Sequence, residues 1–389
     1  MEASLQISQV RDLPSGWMAE LTISQLWIYP IKSIRGCQVP NAMLTAEGFY
    51  LDRSFMLLKD SGDIPRNLQN MHVSSFPSMC LFLTLIKDDT LIVTYQPPSG
   101  SSSSADSIEI PLEPETLDNL EKIDVIMHQS PTTAFDMGQK YSKWFSERFG
   151  FKVVLAFWGG NPRPVLGNRP GKSTNQGPKP KTAISNIVSC LPIIGPLLKE
   201  DEDNIAFNDC APYLVISEAS VADVTNRLPE GVEMDHTKFR GNVILKGSSL
   251  AFEEDFWGEL TFSGDGGDAR IVLTGNCGRC KSLNVDYKTG DVGKGPDGQV
   301  LKLLQKDRRV DPGMKYCPIF GRYGFTQRGD EGKVLRVGDQ VGVKRNQERT
   351  VFCESMALSL WFIRRWTNLL SKIGPAFLQN SGRVSTTII

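Results

Sequence analysis

Short runs in which apolar and polar residues alternate dominate the first 160 positions of the chain. Residues 21–28, 81–86 and 90–95 alternate in this way, which predicts half-buried strands, the last two joined as a hairpin across Asp88-Asp89. The apolar stretches 55–58, 122–127 and 151–157 read as further strands. Over 139–149 the period changes, because Tyr141, Trp144, Phe145 and Phe149 recur at helical spacing. The second half repeats the strand theme at 213–217, 242–246, 269–274, 282–286 and 334–343. Two helices are expected there: one capped near Ser217 and running to 228, the other over 299–308. Strands with short connections favour barrels over a doubly wound sheet. The fold expected is mainly β with α, an α+β chain with a β-barrel-like domain in each half.

Two segments break the pattern. Residues 159–203 are rich in proline and glycine, and between Glu147 and Glu200 there is no acidic residue. An apolar stretch inside it, 183–198, is interrupted by Pro192 and Pro196 and is too short to span a bilayer. It reads either as a solvated insertion or as a basic, apolar docking surface for an anionic membrane or an acidic partner. Past 350, Leu358, Trp361, Phe362, Trp366, Leu369, Leu370 and Ile373 form the stripe of an amphipathic helix. That stripe either lies in a membrane interface, a peripheral contact, or packs on the protein's own barrel. The organisation expected is a polar tail (1–20), a first β-barrel domain (21–158), the basic insertion (159–205), a second barrel domain (206–345) and a tail with the helix (346–389).

Composition narrows the partners. At 389 residues the chain has room for two or three domains. A net charge of −1 argues against nucleic acid. Eight cysteines without regular spacing point to reduced thiols inside a cell, either cytoplasmic or peripheral on an organelle membrane such as the mitochondrial one. Glu2, Arg11, Asp12 and Glu20, with no long apolar core between them, argue against a secretory signal.

The densest chemistry lies in Thr274-Gly-Asn-Cys-Gly-Arg-Cys-Lys-Ser282, where a strand enters a glycine turn bearing Cys277, Gly278, Arg279 and Cys280. A guanidinium beside a cysteine favours the thiolate, the form that binds a soft metal or attacks an electrophile. A half-buried structural cysteine is the alternative. Zinc would need two further ligands at similar spacing, and a dithiol-exchange motif would open a helix, so both fit poorly. Two other strings mislead. Gly293-Lys-Gly-Pro-Asp-Gly298 has dinucleotide-loop spacing but sits in a proline-containing turn, and 167–173 is one residue short of a phosphate loop.

The cysteine turn, with Val285-Asp286 and Thr289-Gly290 after it, resembles the signature of the MOSC domain found in molybdenum-cofactor proteins. Three further segments agree in order: Leu26 to Ser33 with Gly36, Asp52-Arg53 before Phe55, and Ala211 to Val224 followed by Phe239-Arg-Gly-Asn242. The resemblance spans roughly residues 21 to 345 and is closest to the amidoxime-reducing components of animal mitochondria, with their N-terminal MOSC β-barrel domain.

The resemblance implies molybdenum cofactor, Mo-molybdopterin, with Cys280 as the protein's metal ligand and catalytic thiolate. Lys32 and Ser33 would meet its phosphate, Arg53 and Arg240 its phosphate or pterin carbonyl oxygens, and Asn242 its pterin edge. Gly278 and Arg279 complete the turn. Cys210 and Ala211 stand where the family has a Thr-Ser pair, so any hydroxyl contact there is lost. The reaction implied is reduction of the N–O bond in small N-hydroxylated substrates. Its electrons would come from a b-type haem cytochrome served by an NADH-dependent flavin reductase. The family is also associated with pyridoxal phosphate, although this chain has no long α/β stretch for a complete cofactor sulfurase. The rival readings are a non-enzymatic carrier or sensor of sulfurated cofactor, and a membrane-surface protein built on a degenerate barrel.

Overall fold

The computed structural model describes residues 21–352 except 65, 166, 167, 169, 171–202, 265 and 266. The polar tail, most of the basic insertion and the amphipathic helix expected near the C-terminus lie outside the described residues.

Seven strands close into a barrel. In order around it they are Val243–Lys246, Tyr213–Ser217, Ile319–Thr326, Ala269–Gly278, Trp257–Ser263, Gln340–Arg345 and Leu21–Ile28, which returns to Val243–Lys246. Neighbours are antiparallel except Tyr213–Ser217 beside Val243–Lys246, and that parallel pair is joined by the helix Glu218–Asn226. The helix begins where expected: the Ser217 side chain accepts a hydrogen bond from Ser220 N, and Glu218 sits in the first turn. Ile23, Leu26, Tyr213, Val215, Val243, Leu245, Trp257, Leu260, Phe262, Ile271 and Leu273 fill the interior, as side chains must in so small a barrel.

The other unit is built from the alternating segments of the first half. A five-stranded antiparallel sheet runs in the order Lys122–Met127, Ser130–Asp136, Val153–Phe157, Phe55–Asp60, Leu68–Asn70. A three-stranded meander, Phe82–Lys87, Thr90–Tyr95 and Asp106–Pro111, packs with it over a core containing Phe55, Leu57, Phe82, Leu91, Val93 and Leu155. The helix Gln139–Phe149 occupies its predicted span, and Phe145 and Phe149 from its stripe pack against Phe82. It stops at Gly150, whose φ of 75° is the left-handed value that suits glycine at a helix end.

Two expectations are revised, and one strand is shared between the units. The run 334–343 is two strands: Val334–Arg336 pairs with Asn41–Thr45, and Gln340–Arg345 joins the barrel, with Gly338 at φ 97° between them. The strand expected at 282–286 is a 3-10 turn, Lys281–Asn284, followed by the two-residue strand Val285–Asp286. Leu21–Ile28 was drawn into the first domain by its position in the sequence, yet its hydrogen bonds go to Val243–Lys246 and Gln340–Arg345 in the second. The first unit therefore lies in the chain between the first and second strands of the barrel.

Candidate functional site

Where the two units meet, one solvent-open cavity gathers residues from both. Lys32, Ser33, Arg53, Ala211, Arg240, Asn242, Gly278, Arg279 and Cys280 all line it. Cys210, expected among them, does not; burial and the neighbouring Asp209 charge push its thiol up to about 12, so it stays protonated beside the cavity. The lining also includes Cys277 and Phe239 from the motifs already named, and adds residues the sequence did not single out, among them Asn208 and Tyr323.

The backbone around the cavity is held in uncommon conformations. Ser33, Arg53 and Arg240 have φ of 67°, 53° and 57°, left-handed values for residues with a Cβ. Such conformations persist only where the surroundings over-determine them, and they gather at functional sites. Here the surroundings are visible. Arg240 donates to the Ile34 carbonyl at 2.6 Å and the Ser33 carbonyl at 2.5 Å. Arg53 is paired with Asp52 and donates to Asn242 Oδ1 at 3.1 Å and to the Arg240 carbonyl at 3.2 Å. Its guanidinium lies 4.5 Å from the centre of the Tyr29 ring. Asn242 is 1% exposed: Oδ1 also accepts from Leu214 N, and Nδ2 donates to the Trp27 carbonyl. Its work in the structure is to brace the arginines. Gly241 beside it is forced by packing, since a Cβ there would lie 2.9 Å from Ile216.

The cysteine turn is positioned by a distorted ladder. The strands Ala269–Gly278 and Ile319–Thr326 slip register between Leu273 and Gly275 and again between Asn276 and Gly278. Two bulges so close bend the strand and re-aim its side chains. Cys277 ends inside, 3% exposed, and Cys280 ends exposed, its Sγ 3.2 Å from Ser282 Oγ. Arg279 faces inward and donates to Cys277 Sγ at 2.9 Å and to the Phe239 carbonyl at 2.8 Å. The guanidinium expected to favour a thiolate in this turn thus serves the inner cysteine, and it ties the turn to the loop that carries Arg240.

Charge in the cavity is unbalanced. Lys32, Arg53, Arg240 and Arg279 line it, against Asp209 in the wall and Asp52 behind Arg53. Lys32 is 5% exposed, pairs with Asp209 and donates to the Phe207 carbonyl at 2.9 Å. Burial pulls its ammonium below the usual lysine range, with Asp209 opposing. Partial desolvation would raise Asp209, whose side chain is half exposed, but Lys32 and His128 hold its carboxyl well below the usual carboxylate range. Surplus positive charge between low-dielectric walls attracts an anion. Two buried atoms of lining residues have no partner: Arg279 Nε, a donor, and Asn208 Oδ1, an acceptor. Buried polar atoms are nearly always satisfied, so the pair marks a place for a ligand offering both functions. The surplus of cations and these two unpartnered groups suit a ligand that carries both an anionic group and a ring edge with donors and acceptors.

The chain's three histidines lie far apart in sequence, but two of them come together in space. His128 Nε2 lies 3.3 Å from Asp209 Oδ1, and the His72 ring centre is 6.3 Å from that of His128. No spacing in the sequence carries this contact, because its partners come from different units.

Among the described residues no helix is long and apolar enough to cross a membrane. Residues 20–152 match the MOSC N-terminal beta barrel domain and residues 202–342 the MOSC domain. The chain is 26% identical over 328 residues to mitochondrial amidoxime-reducing component 1 of Homo sapiens, covering 82% of each chain. It is 27% identical over 331 residues to mitochondrial amidoxime reducing component 2 of Bos taurus, again 82% of each. Molybdenum cofactor sulfurase of Bos taurus is 25% identical over 292 residues, which are 72% of this chain and 28% of that one. With both domain models matched in order over most of its length, the chain belongs to the MOSC-domain proteins that carry the N-terminal β-barrel domain.

Proposed function

We propose that the cavity binds a pterin-type molybdenum cofactor and that the protein reduces the N–O bond of N-hydroxylated substrates, releasing the amine or amidine and water. The observation that carries this is the exposed Cys280 thiol on the wall of a cavity whose cations outnumber its carboxylates. Lys32, Arg53 and Arg240 would neutralise the phosphate, and Arg279 Nε with Asn208 Oδ1 would meet the pterin edge. Cys280 would contribute the protein's thiolate to the metal. The bound group supplies a centre that exchanges two electrons; the chain orients it and surrounds it with fixed charge. Kinship with proteins named amidoxime-reducing components supports the reductase reading. The electrons would come from a b-type haem cytochrome reduced by an NADH-dependent flavoprotein. The domains are taken as 21–158 and 206–345, with the strand Leu21–Ile28 lent to the second. A mitochondrial location accords with the relatives' names, with residues 159–205 and the C-terminal tail as candidates for peripheral membrane contact.

The test is molybdenum and pterin content of the purified full chain, followed by turnover of a simple amidoxime with an artificial electron donor. Protein that carries neither metal nor pterin retires the reading. Kinship with molybdenum cofactor sulfurases favours a second reading, a cofactor carrier. Bound molybdenum without turnover would select it.

A further inference from the structure

Lys32 and His128 reach one carboxylate oxygen from the two units of the fold. Lys32 Nζ pairs with Asp209 Oδ1 from the segment that follows the strand Leu21–Ile28, and His128 Nε2 approaches the same atom at 3.3 Å. His128 stands at the tip of the hairpin joining Lys122–Met127 to Ser130–Asp136, whose two turn residues have φ of 48° and 70°. Two consecutive positive φ values are those of a tight hairpin turn that ordinarily selects Asn-Gly. Here the tip holds His-Gln, and the imidazole is directed at Asp209.

Lys32 is contested. Its ammonium is buried, it lines the cavity, and it donates to Asp209 and to the Phe207 carbonyl. An anion entering the cavity needs the same ammonium. Asp209, whose side chain is 52% exposed, then loses its cation and faces His128. Imidazole is the side chain whose charge ordinarily changes near neutrality.

We propose that His128 is a proton-coupled stand-in for Lys32: when an anion in the cavity takes Lys32, His128 binds a proton and takes Asp209. The identification of that anion with a cofactor phosphate rests on the function proposed above; the exchange itself does not. The groups facing His128 are Asp209, Lys32 behind it, and His72. Burial, reinforced by the Lys32 charge, pushes His72 down to about 4, so it stays neutral between pH 6 and 8 and cannot substitute. Arg163, whose charge also acts on Asp209, is fixed on the Ala206 and Asn208 carbonyls.

The test is calorimetric titration of sulfate, which does not itself titrate in this range, into the full chain produced without cofactor. Running it in buffers of different ionisation heat between pH 6 and 8 counts the protons taken up. The wild type should take up about half a proton near pH 7 on binding and bind roughly sixfold tighter at pH 6 than at pH 8, the effect of displacing one histidine by about one pKa unit. His128→Gln should take up none and lose the pH dependence. His128→Lys, with a permanent charge, should bind at pH 8 as the wild type does at pH 6. Asp209→Asn should bind without proton uptake, because the competitor for Lys32 is gone. Proton uptake that persists in His128→Gln or in Asp209→Asn overturns the proposal, as does a wild type that binds no sulfate or takes up no proton. Molybdenum content is measured on separately produced protein, so failure of the cofactor reading and failure of the exchange are told apart.

Discussion

Two cysteines three positions apart have opposite fates, and the difference is testable. Cys280 is exposed on the cavity wall, whereas Cys277 is buried and accepts from Arg279. Cys280→Ala is expected to abolish N–O reduction while leaving the fold and most of the bound pterin, read by activity and pterin fluorescence on one preparation. Cys277→Ala should cost about 1–2 kcal/mol of stability, as a buried guanidinium loses a partner, and should keep most of the activity. An inactive but fully loaded Cys277→Ala beside an active Cys280→Ala would reverse the assignment. Lys32→Ala and Arg53→Ala should lower molybdenum content several-fold more than turnover per bound metal; unchanged content in both removes them from the phosphate site. Nine of the ten cavity residues expected from sequence were legible because they lie in short motifs whose spacing survives folding. Asn242 was found, but its bracing role was not, since that depends on what Arg53 and Leu214 do nearby. His128 and Asp209 were illegible as a pair: they are 81 positions apart, and only the docking of the units brings them together.

Elements were read well where one face had to be buried and poorly where glycine redirected the backbone. The helix Gln139–Phe149 and the hairpin Phe82–Lys87 with Thr90–Tyr95 follow from period alone. The division of 334–343 was hidden, because the polar residues around Gly338 do not interrupt the alternation enough to show a turn. Strand partners were not legible at all: period 2 says that 21–28 is a strand, not which sheet it joins. From the pairing it makes, a fragment of residues 206–345 should be insoluble or molten, since the edges of Val243–Lys246 and Gln340–Arg345 are left open. Fusing residues 21–28 through a flexible linker to residue 206 should restore a cooperative melt. A well-folded fragment without that strand would show that the closure is dispensable.

For the whole molecule, the response to pH also depends on groups that do not line the cavity. Glu254 is fully buried, accepts from the Ser217 and Ser220 hydroxyls, and is pushed up to about 7, first by burial and then by the Asp255 charge. The native state therefore holds a proton that the unfolded chain has released. The stability this contributes is present below about pH 4.5 and lost as pH rises to about 7, on the order of 3 kcal/mol. Glu254→Gln should melt several degrees higher than the wild type at pH 8 and about equally at pH 4.5; the same shift at both would refute the linkage. His72 acts in the opposite sense. Pushed down to about 4, it favours the native state above pH 6.5 and withdraws that support as pH falls towards 4. The strand that closes the barrel has a last consequence, in time. Leu21–Ile28 leaves the ribosome together with Cys37–Val39, which pairs with its end, but well before its two barrel neighbours, and Gln340–Arg345 follows only when the rest of the barrel has been made. At roughly 5–20 residues per second, its barrel edges stay unpaired for on the order of tens of seconds while the unit behind it can already fold. Nascent chains stalled before residue 340 should therefore hold a protease-resistant first unit and an accessible residue 21–28 segment, the part most in need of a chaperone.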